Sequence, residues 1–262
     1  MCKFLDLEKY PLDRPESAEY LQLVRRCQND LAEEGMFNLV GLLKRDVAEL
    51  AVEEVRPVMD SESFTHKRQH NIYFKKEIPG LAKDHPALKL CETVNHTLCA
   101  DQLGQGVVTQ VYEYEPLLAF IADTMGKDQL FLMKDALARI NVMAYREGEA
   151  LNWHFDRSEF TTTLLLQAPE KGGEFVYRSD LRTENDPNYD GVAKLLRGED
   201  SLEKVLEVTA GTLNVFKGKN TAHRVSPVVG NRERIIAVFS YYETPGVVFS
   251  KEDQIGFYGR AA

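Results

Sequence analysis

The stretch LARINVMAYREGEALNWHFD, residues 137–156, decides how this chain is read. Its first part alternates, with Arg139, Asn141, Met143 and Tyr145 on one face and Ile140, Val142 and Ala144 on the other. Side chains repeat every second residue in a strand, so the pattern predicts a β-strand with one polar and one apolar face. The stretch closes on Asn152-Trp153-His154-Phe155-Asp156, which puts an imidazole and a carboxylate at i and i+2. In extended backbone those two positions project from the same face.

Forward of this point the strands come quickly. Residues 161–167 are β-branched and then apolar, residues 173–178 follow a Gly-Gly turn, and residues 206–208, 212–216 and 234–242 complete the set. Short strands separated by turn signals predict a sandwich or barrel. A polar insertion rich in Asp, Asn and Glu runs from 179 to 204, with a short helix at 192–196. A loop of that length in a compact domain is usually functional, and a lid is expected.

Backward of it the chain is mixed, with helices prominent. Pro15-Glu16-Ser17 opens a helix carrying Tyr20, Leu21, Val24, Cys27 and Leu31 at helical spacing, and Gly35 ends it. A short apolar strand over 36–43 and an amphipathic helix over 45–57 follow. Asn71-Ile72-Tyr73-Phe74 reads as a further strand, and residues 86–103 and 116–125 as two further helices. The expected organisation is one structural domain in three parts. An α/β region at 1–135 supports a catalytic core at 136–245, with the insertion at 179–205, and a tail follows at 246–262.

The chain has 262 residues and a net charge of −9, without a basic stripe, which argues against a nucleic-acid partner. No apolar run approaches the roughly 18 residues that span a bilayer, and the first residues lack the apolar core of a secretory signal. A cytoplasmic location is therefore expected, and Cys2, Cys27, Cys91 and Cys99 are read as free thiols. Cys91, His96 and Cys99 share the expected 86–103 helix but show neither CxxC nor HxxxH spacing, so they are read as structural.

A second histidine, His223, comes 67 residues after Asp156. Two imidazoles and one carboxylate on one face of an octahedral ion leave three positions open, the facial triad of non-haem iron(II) oxygenases. His-x-Asp alone is a common chance tripeptide. The surroundings strengthen it: a turn after His223 leads into an apolar strand, with Arg232 and Arg234 nine and eleven residues after the histidine. A guanidinium aimed into a barrel suits a bidentate pair with the distal carboxylate of 2-oxoglutarate.

On these residues the chain resembles the double-stranded β-helix (jelly-roll, cupin-like) Fe(II)/2-oxoglutarate oxygenases, most plainly the prolyl-hydroxylase-like branch. The resemblance covers about 140–242. It rests on His154-Phe155-Asp156, Gly172-Gly173-Glu174-Phe175 and His223-Arg224-Val225-Ser226-Pro227-Val228 with Arg232. It implies an α+β fold with an N-terminal helical region packed on the barrel, and iron held by His154, Asp156 and His223. Fe(II), 2-oxoglutarate and O2 are then the expected cofactors. Spacing within that branch favours Arg232 as the 2-oxoglutarate anchor, with Arg234 in reserve and Tyr145 assisting.

The run 152–160, the insertion and Gly256-Phe257-Tyr258-Gly259-Arg260 also look like the small enzymes that hydroxylate or halogenate free amino acids. In the halogenases a small residue replaces the metal-binding carboxylate. This chain has Asp156 there, which implies hydroxylation. Arg157, Arg139 and Asn141 are the expected contacts to a small-molecule substrate, with Asn220 and Thr221 orienting His223 and a His66, Arg68, His70 cluster beside the pocket. The competing readings are a hydroxylase of protein or peptide side chains, and a cupin-like metal-binding protein without turnover.

Overall fold

In the computed structural model, which describes residues 3–262, two antiparallel sheets face one another, and helices pack on the back of the larger one. Cys2 lies outside the described residues, and Cys27, Cys91 and Cys99 are free thiols. In chain order the first half contributes α1 (Ala18–Glu33), β1 (Met36–Leu39), α2 (Arg45–Glu62), β2 (Phe64–His70) and β3 (Cys91–Cys99). It continues with α3 (Val107–Tyr112), α4 (Glu115–Met125) and β4 (Phe131–Leu132). Next come β5 (Ile140–Tyr145), β6 (Leu151–His154), β7 (Thr161–Gln167), β8 (Lys171–Gly172) and β9 (Phe175–Arg178). The insertion carries α5 (Tyr189–Leu196) and β10 (Lys204–Leu206). The chain ends with β11 (Leu213–Phe216), β12 (Ala222–Val225), β13 (Val228–Val229), β14 (Arg234–Phe239), β15 (Tyr241–Tyr242) and α6 (Lys251–Tyr258).

The large sheet runs β1-β11-β7-β14-β5-β3-β2, and the small one β10-β9-β12-β6. Strand alternation divides the large sheet cleanly. Leu98, Ile140, Val142, Ala144, Leu164, Leu166, Ile235 and Ala237 are buried on its outer face, against Val52, Val55, Val111, Leu117 and Phe120 from the helices. The opposite face looks toward the small sheet. The registers Arg234↔Tyr145, Thr97↔Met143 and Arg68↔Thr93 place Arg234, Tyr145, Met143, Thr97 and Arg68 together on that inner face. This is the double-stranded β-helix arrangement, with the core outside the barrel mouth and the polar residues within it.

Three expectations need correction. Residues 86–103 are not one helix: Pro86–Leu88 and Ala100–Gln102 form short 3-10 turns, and Cys91–Cys99 between them is a strand paired with β2 and β5. Its Thr93, Val94 and Thr97 suit a pleated surface, and pairing on both edges overrides the helical spacing. Residues 71–74 are not a strand. The Asn71 side chain donates to Lys75 O (2.5 Å) and accepts from Tyr73 N and Lys75 N, so it takes the place of a ladder and closes a turn. The second helix does not stop at Pro57 but runs to Glu62, because Val52, Val55 and Met59 bury one continuous stripe across the proline.

Three of the seven strands of the large sheet come from before residue 136, so the barrel draws on both halves of the chain. Part of the insertion packs on the small sheet. Val192, Leu195 and Leu181 pack with Phe155, Ala222 and Ile72 on the outer side of the small sheet, behind the strands that carry His154 and His223. Among the described residues no helix is long and apolar enough to cross a membrane.

Candidate metal centre

The last residue of β6 is His154, and His223 sits directly across from it on β12. This cross-strand register brings two imidazoles 69 residues apart in sequence to a ring separation of 4.1 Å. Asp156 follows β6, where the chain leaves the sheet and Asp156 N donates to Gly218 O (3.1 Å). The carboxylate Oδ1 lies 3.5 Å from the Nε2 of each histidine. One ligand atom from each of the three residues falls within 4.8 Å of the others. That is a two-histidine, one-carboxylate set with its donor atoms converging on a single point, the arrangement that binds a divalent transition metal.

Each ligand is oriented from behind. His154 Nδ1 donates to Asn152 O (2.8 Å) and His223 Nδ1 to Thr221 O (2.9 Å), which leaves both Nε2 atoms as acceptors for a metal. Thr161 Oγ1 donates to Asp156 Oδ2 (2.5 Å) and leaves Oδ1 free toward the histidines. A side chain at Gly218 would run into the Asp156 carboxylate, so the glycine is needed for the close approach. Burial pushes the His154 imidazole toward its neutral form, and the His223 charge adds to this. Burial works against the Asp156 charge, yet the two histidines hold its carboxyl well below the usual range. Neutral imidazoles and an ionised carboxylate are the protonation states that metal binding requires.

The two arginines separate sharply. Arg232 lies before β14 in an exposed turn, beside a cavity of about 570 Å³ lined also by Arg56, Arg146, Glu147 and Glu233. Arg234, the first residue of β14, is 3% exposed and points inward. Its Nε donates to Gly173 O (2.9 Å), its guanidinium lies 6.0 Å from the Tyr145 ring, and its buried Nη1 has no hydrogen-bond partner among the described residues. Thr163, Thr212, Asn214 and Phe175 line the same recess, and the Thr212 hydroxyl is likewise buried and unpaired. Tyr145 is buried, and that burial pushes its phenol up to about 12.

The expected substrate contacts scatter. Asn141 is on the inner face, with its Oδ1 accepting from Tyr258 of α6 (2.9 Å). Arg157 is exposed and tied to Asp253 (2.8 Å). Arg139 precedes β5, half-buried, and its charge is felt by the Tyr112 hydroxyl in the outer core. Of the residues near His223, Thr221 Oγ1 and Asn220 Oδ1 are both buried without hydrogen-bond partners among the described residues. Sequence reasoning did not find Thr161 or Arg182. Thr161 opens a strand of β-branched residues that looks merely structural, and Arg182 lies in a polar insertion with no periodicity.

A family model described as HalD, Halogenase D, matches residues 20–250. No curated protein matches. Among solved structures, the chain is similar to an oxidoreductase of the 2OG-Fe(II) oxygenase family from Burkholderia pseudomallei. The two are 16% identical with a TM-score of 0.52, over 86% of this chain and 92% of that one. It is similar to SnoN, a non-haem α-ketoglutarate-dependent epimerase from nogalamycin biosynthesis (12% identity, TM-score 0.58, 85% and 83% coverage). HygX from Streptomyces hygroscopicus, whose structure holds nickel and 2-oxoglutarate, is 14% identical with a TM-score of 0.54 over 83% and 86% of the two chains. At these identities the likeness establishes the fold.

Proposed function

The chain belongs to the Halogenase D family, and from that premise we propose that it is an Fe(II)- and 2-oxoglutarate-dependent oxygenase that hydroxylates an unactivated C–H bond of a small polar substrate, a free amino acid being the first class to test. The observation that carries the reading is the convergence of His154, Asp156 and His223 beside a buried, half-satisfied Arg234. An unpaired guanidinium N–H in a protein interior costs on the order of 1–3 kcal/mol. The distal carboxylate of 2-oxoglutarate is a partner that removes this cost, and HygX holds 2-oxoglutarate in the same fold.

In this reading iron bound by the triad, with 2-oxoglutarate and O2, supplies the oxidant: the 2-oxo acid loses carbon dioxide to become succinate, one oxygen atom entering succinate and the other the substrate. The chain's own residues hold and shield the components. Arg234 fixes the distal carboxylate, while Thr212 and Thr163 offer hydroxyls beside it. Phe175 and Phe216, with rings 5.5 and 4.8 Å from that of His223, keep water from the metal on that side. Thr161 keeps Asp156 turned toward the metal. Halogenation is the second reading, supported by the family's description. Against it stands Asp156, whose carboxylate occupies the coordination position a halide would need.

The test is turnover under air of anaerobically purified protein supplied with Fe(II), 2-oxoglutarate, chloride and each of twenty amino acids, with Asp156→Ala as control. Succinate and a product heavier by one oxygen are expected, and loss of at least 10³-fold in the control. A chlorinated product would select the second reading. Succinate without an altered amino acid would redirect the search to peptides or other metabolites, and bound iron with no succinate would sink the oxygenase reading.

A further inference from the structure

The turn at 217–221, between β11 and β12, serves two of the three metal ligands. Lys217 O closes it by accepting from Asn220 N (3.3 Å) and Thr221 N (3.1 Å). Gly218 O accepts from the backbone N–H of Asp156, and Thr221 O from the ring of His223. The two carbonyls between them are held by the insertion. Lys219 O accepts from Arg182 Nε (2.7 Å), and Asn220 O from Leu181 N (3.1 Å). Every carbonyl of the turn thus has a donor, two of them from ligand residues and two from adjacent residues of the insertion.

Arg182 reaches the other ligand segment as well. Its guanidinium lies 3.9 Å over the ring of Phe155, the residue between His154 and Asp156. That ring also stacks with Tyr73 (5.6 Å), whose hydroxyl donates to Pro187 O (2.5 Å) in the same insertion. Phe155 is 4% exposed, so the arginine touches a side chain with little room to move. Arg182 itself is half-buried. Burial works against its charge, and Tyr73 and Asp156 partly offset that effect. A guanidinium suits this place because its flat face covers a ring while an N–H in its plane reaches a carbonyl.

We propose that Arg182 is a positioning residue of the metal centre: it clamps the His154–Asp156 segment to the 217–221 turn and so holds the Asp156 carboxylate in line with both histidines. The inference rests on the metal-centre reading and gives part of the insertion a task behind the site. Partners that orient metal ligands from behind set affinity through geometry, since a ligand that must first be brought into place binds more weakly. Thr161 fixes which oxygen of Asp156 faces the histidines, whereas Arg182 fixes where the backbone carrying that carboxylate lies.

The test uses the full chain, stripped of metal and titrated with Co(II) by calorimetry. Arg182→Met keeps an apolar stem over Phe155 but loses the donor and the charge, and should bind Co(II) about tenfold more weakly. Arg182→Lys keeps a charge and a donor, and should stay within about threefold of wild type. Leu195→Ala opens a cavity elsewhere in the insertion, so it should lower the melting temperature yet keep Co(II) affinity within about twofold. In metal-free protein the Asp156 amide should exchange with solvent faster in Arg182→Met than in wild type, and Arg182→Lys should restore the slower rate. Unchanged Co(II) affinity in Arg182→Met would overturn the inference. So would an equal loss in Leu195→Ala, which would trace the effect to packing of the insertion rather than to the arginine. A wild type that binds Co(II) no better than Asp156→Ala would overturn the metal-centre reading instead. The amide exchange, read without metal, would then still decide the clamp: faster exchange upholds it and an unchanged rate removes it.

Discussion

The two sheets treat their polar residues in opposite ways. In the small sheet, each metal-binding imidazole is tied to a nearby backbone carbonyl, His154 to that of Asn152 and His223 to that of Thr221. In the large sheet, Arg234 is set into the interior with a terminal nitrogen left unpaired among the described residues. The small sheet is therefore preorganised for a metal, whose geometry is strict. The large sheet holds charge in reserve for guests, whose arrival completes it. Asp156 stands between the two, since its orienting partner Thr161 is the first residue of β7 in the large sheet.

The sharpest way to break this contrast is to compare the neighbouring arginines. Arg234→Gln should raise the 2-oxoglutarate concentration needed for half-maximal succinate formation by about 10²-fold, the scale of one bidentate charge-assisted pair. Arg232→Gln should change it by no more than about twofold, as expected of an exposed turn residue. Equal effects would mean that the turn before β14 folds inward in solution, and the division of roles would be lost. A smaller effect is expected where the sheets meet. Thr161→Val keeps shape and removes the bond to Asp156, and should weaken Fe(II) or Co(II) binding by about tenfold, measured by calorimetry. Thr163→Val, on the same strand but facing the recess beside Arg234, should leave metal affinity unchanged. A metal defect in both would show that the strand, rather than the hydroxyl, is what matters.

The arginines also show how far the sequence could be read. Alternation along 140–145 and the His-x-Asp step determine strand faces directly, because a period of two admits no ambiguity once the strand is placed. The same parity puts Arg232 and Arg234 on one face, but β14 begins only at Arg234, after a turn in which Gly230 has φ 98°. One residue of strand boundary thus decides which guanidinium is buried. The N-terminal half was harder for a related reason. Cys91–Cys99 acquires its identity from neighbours at 64–70 and 140–145, contacts that no local window contains. Arg182 was illegible because a residue held by one carbonyl and one ring leaves no periodic trace.

The least conspicuous consequence of the contrast is acid sensitivity at His70, an imidazole that couples the sheets through Thr93. It is 5% exposed, with Nδ1 donating to Asn71 O (3.1 Å) and Nε2 accepting from Thr93 Oγ1 (2.7 Å). The same Thr93 hydroxyl accepts from Asn152 N on the ligand strand (3.1 Å). A proton on Nε2 would remove the acceptor that this chain of bonds requires. Burial pushes the His70 imidazole down to about 4, opposed by the Asn71 carbonyl and reinforced by the charges of His154, Arg68 and His66. The unfolded chain titrates near 6.5. Above that value both states are neutral and the native contribution is complete. As the pH falls from about 6.5 to about 4 the unfolded chain takes up a proton that the native state refuses, so stability drains away across that window. The loss should be on the order of 2 kcal/mol, comparing urea midpoints at pH 7 and pH 4.5. His70→Gln, which has no proton to gain, should start less stable but lose correspondingly less over the same interval. If wild type and variant decline in parallel, His70 is not what makes the ligand strand acid-sensitive, and the coupling through Thr93 carries no energetic weight.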